Sequence, residues 1–336
     1  MSIFRFTDES DALGSVTRGR LLWRRVSYLG REYAVILSFL VLLVVLSTSS
    51  NVFLTRENIG NLADQYSATG IIAVGGTLVL IGGGFDLSVG AIYAVAGVVA
   101  AQVMNGTGSL ALSIVAACAI GAGCGLGNGI GVNFFRINPF VTTLATSLII
   151  SSLALYLSGG LDENVTNFSF THLGQGTWFT VKISVWALAA FAAFAWILLD
   201  RTIIGRFIYA AGGNPEAARL AGVPVGAIKT LTYVISGLSA GLGGVIVASR
   251  IGTGAPDVGA DIPLQAIAAI VVGGTSIFGG EGAIWRTMFG VYLLAMIGNG
   301  FNLLNVNAVY QQMAEGAIIL GAVGLDAWFR TSRRSS

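Results

Sequence analysis

The chain is 336 residues long, 54% hydrophobic and only 10% charged, with a mean hydropathy of +0.80. Soluble domains carry roughly 25% charged residues, so an ordinary water-facing surface is excluded. The 47 glycines follow no G-X-Y period and apolar residues abound, which excludes collagen and disorder. A net charge of +2 gives no sign of a nucleic-acid partner, and Cys118 and Cys124 share one apolar stretch, so no disulfide framework is implied.

Residues 1–32 are polar and Arg-rich, unlike a cleavable signal peptide, and predict a cytoplasmic N-terminal segment. From Tyr33 onward, charge-free stretches recur. A spanning helix needs about 20 residues, which predicts ten spans near 33–52, 61–82, 87–104, 110–132, 139–158, 180–199, 226–248, 263–279, 284–302 and 308–327. The fold class is therefore all-α, a polytopic membrane helix bundle of about ten transmembrane helices. Its transmembrane domain covers 33–327, and 328–336 form a cytoplasmic tail. With the N-terminus inside, the inner segments hold 15 Lys and Arg and the outer ones only Arg56, Lys182 and Arg250, which is 3. Positive charge favours the cytoplasmic side, so both termini are expected there.

The second and third spans are separated by Gly82-Gly83-Gly84-Phe85-Asp86-Leu87-Ser88. A break at membrane depth frees backbone groups that the protein or cavity water must satisfy, and an acid there is costly unless paired. Asp86 and Ser88 are candidates either for a capped structural break, with Asp86 as N-cap of the third span, or for the transport pathway. The fourth span carries two GxxxG rows, Gly121/Gly125/Gly129 and Gly123/Gly127/Gly131. Small residues mark close helix contacts in lipid, so this helix is expected to pack on two sides. Alternatively, the glycines line a substrate path with Asn128 as a polar contact. Val74-Gly75-Gly76-Thr77 recurs as Val272-Gly273-Gly274-Thr275, which suggests an internal repeat at an offset of 198.

Between the sixth and seventh spans, the chain stays polar from Asp200 to Lys229. Asn214 can cap a helix that opens with Pro215, and Glu216 stands in its first turn. Gly222 suits the stop. A helix this short is marginal alone, so it is expected to dock on a partner. The lone His172 precludes a multi-histidine metal site within the chain and reads as a solvated outer-loop residue. Neither Lys182 nor Lys229 stands in a G-x-x-x-x-G-K-[ST] context, so this chain cannot supply that ATP site.

Phe85-Asp86-Leu87-Ser88-Val89-Gly90 is similar to the G-x-D-L-S-V-G signature of sugar permeases. Asn138-Pro139-Phe140-Val141-Thr142-Thr143-Leu144-Ala145-Thr146, and Gly212-Gly213-Asn214-Pro215-Glu216-Ala217-Ala218-Arg219-Leu220-Ala221-Gly222, resemble further segments of the same family. The chain from about Phe53 to Asp326 thus resembles the membrane subunit of ribose/xylose/arabinose-type ABC importers. The resemblance implies an ATP-driven importer of a monosaccharide in a bacterial inner membrane. Its partners are ABC ATPase subunits that bind ATP and Mg, a periplasmic solute-binding protein and a second permease copy or homologue. No cofactor is expected in this chain. The resemblance makes 214–222 the coupling helix, with Asn214, Pro215, Glu216 and Arg219 as its key residues. It also marks one departure: Glu315 stands where the family often carries Lys. An acid there faces the bundle or water, which makes Glu315 a further candidate for the pathway. Sugar sites combine aromatic faces with polar groups, and Trp178, Tyr156 and Asn133 are candidates. The alternatives are a permease of the same architecture for a non-sugar solute and an ion-coupled secondary transporter. The latter would favour paired membrane acids and need no docking helix. No catalytic set suggests an enzyme.

Overall fold

The computed structural model describes residues 35–307 and, within 309–324, all but 315, 319, 322 and 323. The segment 1–32, the tail 328–336 and Glu315 lie outside the described residues. Among the described residues, thirteen helices precede a final helical segment that begins at 309. They are α1 (Val35–Ser49), α2 (Arg56–Gln65), α3 (Ser67–Ile81), α4 (Val89–Thr107), α5 (Leu110–Asn133), α6 (Pro139–Ser158) and α7 (Phe168–Gln175). Next come α8 (Ile183–Arg201), α9 (Ile203–Gly213), α10 (Pro215–Leu220), α11 (Val225–Ile251), α12 (Ile262–Val272) and α13 (Ile284–Leu303). The only strands among the described residues are two-residue pairs. β1 (Glu163–Asn164) pairs with β4 (Thr253–Gly254), and β2 (Thr177–Trp178) pairs with β3 (Val181–Lys182). The molecule is an all-α membrane bundle.

Helix ends follow local chemistry. The turn expected near 105–108 closes at Gly108, in the left-handed region with φ 67°, and the Ser109 side chain caps α5 by accepting from Leu112 N. Asn138 caps α6 by accepting from Phe140 N, with Pro139 at the first position, and Gly159 at φ 63° ends that helix.

Five helices, α4, α5, α6, α8 and α11, are long and apolar enough to cross a membrane, while the apolar α1, α3 and α12 are shorter. Two expected spans are thereby corrected. The span near 61–82 divides at Tyr66, where Thr55 has already capped the polar α2, and only α3 continues as apolar helix. The span near 263–279 stops at Val272, because Gly274, Gly279 and Gly280 all adopt positive φ.

The core is built around α3, whose residues are all buried, and α11, which packs on α3, α4 and α5. Outer faces of α5, α6 and α8 expose large apolar side chains such as Val115, Leu148, Ile149 and Phe194, as a lipid-facing shell does. The first glycine row of α5 lies against α11. A methyl on Gly121 would strike Gly237 O, one on Gly125 would strike Tyr233 O, and one on Gly129 would lie 2.8 Å from Thr230 Cα. The second row corrects the two-sided expectation. Gly123 and Gly127 have nothing near, and only Gly131 meets a neighbour, Thr142 of α6. Residues two apart on a helix point to nearly opposite sides, and on the second side only the Gly131 end is occupied.

The two segments of the suggested repeat share a backbone shape, but in another register. Val74 to Thr77 lie inside α3, whereas Val272 to Thr275 run off the end of α12. The shared backbone is at Gly83 and Gly274, with φ 73° and 84°. Gly83 N donates to Leu80 O at 2.9 Å and Gly84 N to Val79 O at 2.9 Å; Gly274 N donates to Val271 O at 2.8 Å and Thr275 N to Ile270 O at 3.1 Å. Gly90-Ala91-Ile92-Tyr93 lies within the first turns of α4, whereas the similar Gly282-Ala283-Ile284-Trp285 enters α13 only at Ile284. We refer to residues 82–88 and 273–283 as the first and second breaks.

Candidate coupling site and helix breaks

Asp86 is buried, 4% exposed, and both of its carboxylate oxygens are used. Ser88 donates to Oδ1 from its backbone N at 3.0 Å and from Oγ at 2.7 Å, and Ser236 of α11 donates from Oγ to Oδ2 at 2.8 Å. Asn128 of α5 donates from Nδ2 to Ser88 Oγ at 2.7 Å and accepts at Oδ1 from Thr146 of α6, also at 2.7 Å. One chain of hydrogen bonds therefore ties the first break to α5, α6 and α11. Asp86, Ser88 and Asn128 come together and are sealed from solvent. The helix N-cap itself is Ser88, not Asp86, and its side chain makes no capping bond because it is turned to Asp86. From α11, Tyr233 Oη accepts from Phe85 N and donates to Phe85 O, both at 3.2 Å. Sequence reasoning missed Ser236 and named Thr146 only within the 138–146 segment, without a role. A lone hydroxyl in an apolar span has no local signature.

The two breaks meet. Gly280 N donates to Ile81 O at 2.8 Å, so the second break caps the carbonyl end of α3. The C-terminal end of α9 enters the same place. A methyl on Gly212 would strike Ile81 O and lie 2.8 Å from Gly280 N. One on Gly279 would lie 2.9 Å from both Gly212 O and Gly83 Cα. Three backbones thus approach one another with no side chain between them, in what we call the glycine clasp. Tyr209 of α9 adds a tie by donating from Oη to Gly282 O at 2.8 Å. Burial, and then the charge of Asp200, push its phenol up to about 12, so the donor proton is retained at neutral pH.

The helix α10 begins immediately after α9. Asn214 caps it, accepting from Ala217 N at 3.0 Å, and Pro215 is its first residue, as expected from sequence. It stops at Leu220, short of the expected end at Gly222, whose φ of 82° ends the turn. Glu216 and Arg219 pair with each other at 3.0 Å on the exposed face. Ala218 is buried, and Leu220, which sequence reasoning passed over, is 83% exposed.

The three aromatic and polar candidates for a sugar site do not converge. Trp178 stacks on Phe179 and Trp186 beside the short hairpin, Tyr156 points outward from α6, and Asn133 hydrogen-bonds Gly129 O and Thr230. His172 is exposed on α7.

Residues 58–323 match the family described as branched-chain amino acid transport system / permease component. The chain belongs to this family. The permease is 38% identical over 300 residues to the ribose import permease protein RbsC of Escherichia coli strain K12, covering 88% of this chain and 93% of that one. It is 37% identical over 304 residues to the L-arabinose transport system permease protein AraH of the same strain, covering 90% and 93%. Against the ribose import permease protein RbsC of Bacillus subtilis strain 168 it is 38% identical over 293 residues, covering 86% and 91%. No solved structure matches it. The permease is a multi-pass membrane protein with a transport role.

Proposed function

We propose that this permease is the membrane pathway of an ATP-driven importer for a monosaccharide, delivered in a bacterial inner membrane by a periplasmic binding protein. The names of its relatives support the solute class, ribose and arabinose being pentoses. The observation that carries the mechanism is the continuity of α10 with the clasp. A push on α10 reaches Gly212 within one turn, and Gly212 touches both helix breaks. Partner ATPase subunits dock on α10 from the cytoplasm, where the exposed Leu220 and the Glu216–Arg219 pair face them. They bind ATP and Mg; this chain needs no cofactor. Both termini are cytoplasmic, which follows from the positive-charge asymmetry. A second permease copy or homologue completes the pathway across the bilayer.

Reconstitution tests this function. The permease is co-expressed with its ATPase and binding protein, placed in vesicles, and assayed for uptake of D-ribose, L-arabinose and L-leucine. Pentose uptake dependent on ATP and binding protein is expected. Uptake of leucine alone would transfer the same architecture to a non-sugar solute, and uptake driven by an ion gradient without ATP would remove the importer assignment altogether.

A further inference from the structure

We propose that the cavity between α3, α12, α13 and the last helical segment is a binding station for a polyhydroxylated solute on its way through the permease. It has a volume of about 460 Å³, within the roughly 300–1,000 Å³ typical of small-molecule sites. Polar groups converge on it from separate elements: Tyr66 and Thr69 at the head of α3, Asp261 and Gln265 at the head of α12, and Gln311 and Gln312 of the last segment.

The composition of α12 makes the placement informative. Ile-Pro-Leu-Gln-Ala-Ile-Ala-Ala-Ile-Val-Val contains one polar side chain, Gln265, and that side chain lines the cavity. An amide facing acyl chains leaves donors and an acceptor unsatisfied, which is costly in hydrocarbon. Gln312 of the last segment lines the same space as Gln265, which marks it as wet or as filled by a hydrogen-bonding molecule. A carboxamide both donates and accepts, which matches sugar hydroxyls, since each of these also does both. A cation site would gather carboxylates, and among the described residues that line the cavity Asp261 is the only one. The remaining wall is apolar, with Val291 and Leu294 of α13, and the Tyr66 ring adds a face for the C–H side of a sugar.

Tyr66 and Gln311 also approach each other at Gly298 of α13. A methyl on Gly298 of α13 would lie 2.8 Å from Tyr66 Oη and 2.9 Å from Gln311 Nε2. The hydroxyl of one and the amide of the other thus meet at this glycine. The Asp86 network, by contrast, is sealed and fully paired, so it offers a solute nothing to bind.

This proposal rests on the monosaccharide assignment, and the test separates the two. The whole transporter is reconstituted with binding protein and ATPase, and D-ribose uptake is measured for the wild type, for Gln265→Leu, for Gln311→Leu and for both together. Loss of one neutral hydrogen bond slows uptake a few-fold, and the double variant is expected to fall about tenfold. Gln265→Asn, which keeps the amide, retains most of the uptake. Gln265→Cys supplies a readout independent of transport: maleimide labelling should be slowed by D-ribose and not by an equal concentration of L-leucine. That labelling decides the matter should the Leu variants not be recovered with the ATPase. Wild-type uptake with unaltered variants, or labelling of Gln265→Cys that D-ribose does not slow, overturns the cavity assignment and leaves the importer standing. Protection by a short-chain phospholipid in place of the sugar overturns it too. Absence of pentose uptake by the wild type overturns the solute assignment, and the cavity proposal with it.

Discussion

Gly280 N donates to Ile81 O at 2.8 Å, so the loop that ends one short membrane helix caps the end of the other. Neither α3 nor α12 is as long as the hydrocarbon core requires at 1.5 Å per residue. Their broken ends solve each other's unsatisfied backbone, and α9 supplies the third strand of contact at Gly212.

Gly212→Ala is expected to disrupt this junction and Gly213→Ala to spare it. The first methyl meets the Ile81 carbonyl, while the second finds only Gly280 Cα at 3.9 Å. Overpacking of a rigid backbone contact costs about 1–3 kcal/mol. Thermal melting of the detergent-solubilised protein, paired with uptake assays, compares them; equal melting points would remove the clasp from the list of tight contacts.

On α5 the two glycine rows should behave differently. Gly125→Leu drives a side chain into the α11 backbone and should sharply reduce the yield of folded protein, whereas Gly106→Leu, with nothing near it, should not. Gly127→Ala is likewise open on its side and should be neutral, or stabilising by up to about 1 kcal/mol from helix propensity. Similar losses at Gly125 and Gly127 would show that both faces are packed within one chain.

Removal of the Asp86 carboxylate should cost more than its neutralisation. Asp86→Ala leaves the Ser88 amide and the Ser236 hydroxyl without their acceptor, a loss of about 1–3 kcal/mol for each group that stays dry. Asp86→Asn keeps one oxygen for Ser88, and Ser236 Oγ can turn to accept from the new amide. Melting temperatures in the order wild type, Asn, Ala are expected. An Ala variant as stable as wild type would mean that the network contributes nothing to the break.

For coupling, Glu216→Lys breaks an exposed ion pair worth at most about 0.5 kcal/mol, so the protein stays inserted. Transport should fail nonetheless, because the charge presented to the ATPase is reversed at the positive end of α10. The exchange Glu216→Arg with Arg219→Glu restores the pair within the helix but not its polarity toward a partner. Recovery of sugar-stimulated ATP hydrolysis by the exchange would show that the pair acts only inside α10. Leu220→Asp should abolish co-purification of the ATPase.

Orientation can be read from two positions. Ser109→Cys, at the α4–α5 turn, should react with impermeant maleimide from outside intact cells, and Leu220→Cys only after the cells are opened. The reverse pattern would invert the topology.

The sequence made α10 legible because its information is local. Asn214, Pro215 and Glu216 are adjacent, and capping needs no distant partner. The Gly121/Gly125/Gly129 row was legible for the same reason, since periodicity states which residues share a face. It does not state which faces find a neighbour, and Gly123 and Gly127 find none. The clasp was illegible because Gly83, Gly212 and Gly280 each look like an ordinary turn residue in their own segment. The suggested repeat misled for a related reason: the four-residue match at Val74 and Val272 compares a helix interior with a helix end, whereas what the two segments share is a backbone shape at Gly83 and Gly274. Gln265, a single amide in an apolar run, could have been noticed as a polar residue at membrane depth.

The clasp also orders the biogenesis of the protein. Its three contributors come from the first, middle and last portions of the chain, so the end of α3 leaves the ribosome long before the amide that will cap it. Until the second break has been synthesised and inserted, the Ile81 carbonyl must be served by water or by the insertion machinery. The earlier helices can be threaded into the bilayer and Gly212 can meet the first break, but the Ile81 carbonyl still lacks the Gly280 amide. A nascent chain halted before Gly279 therefore holds α9 and α10 against an end of α3 that is still uncapped.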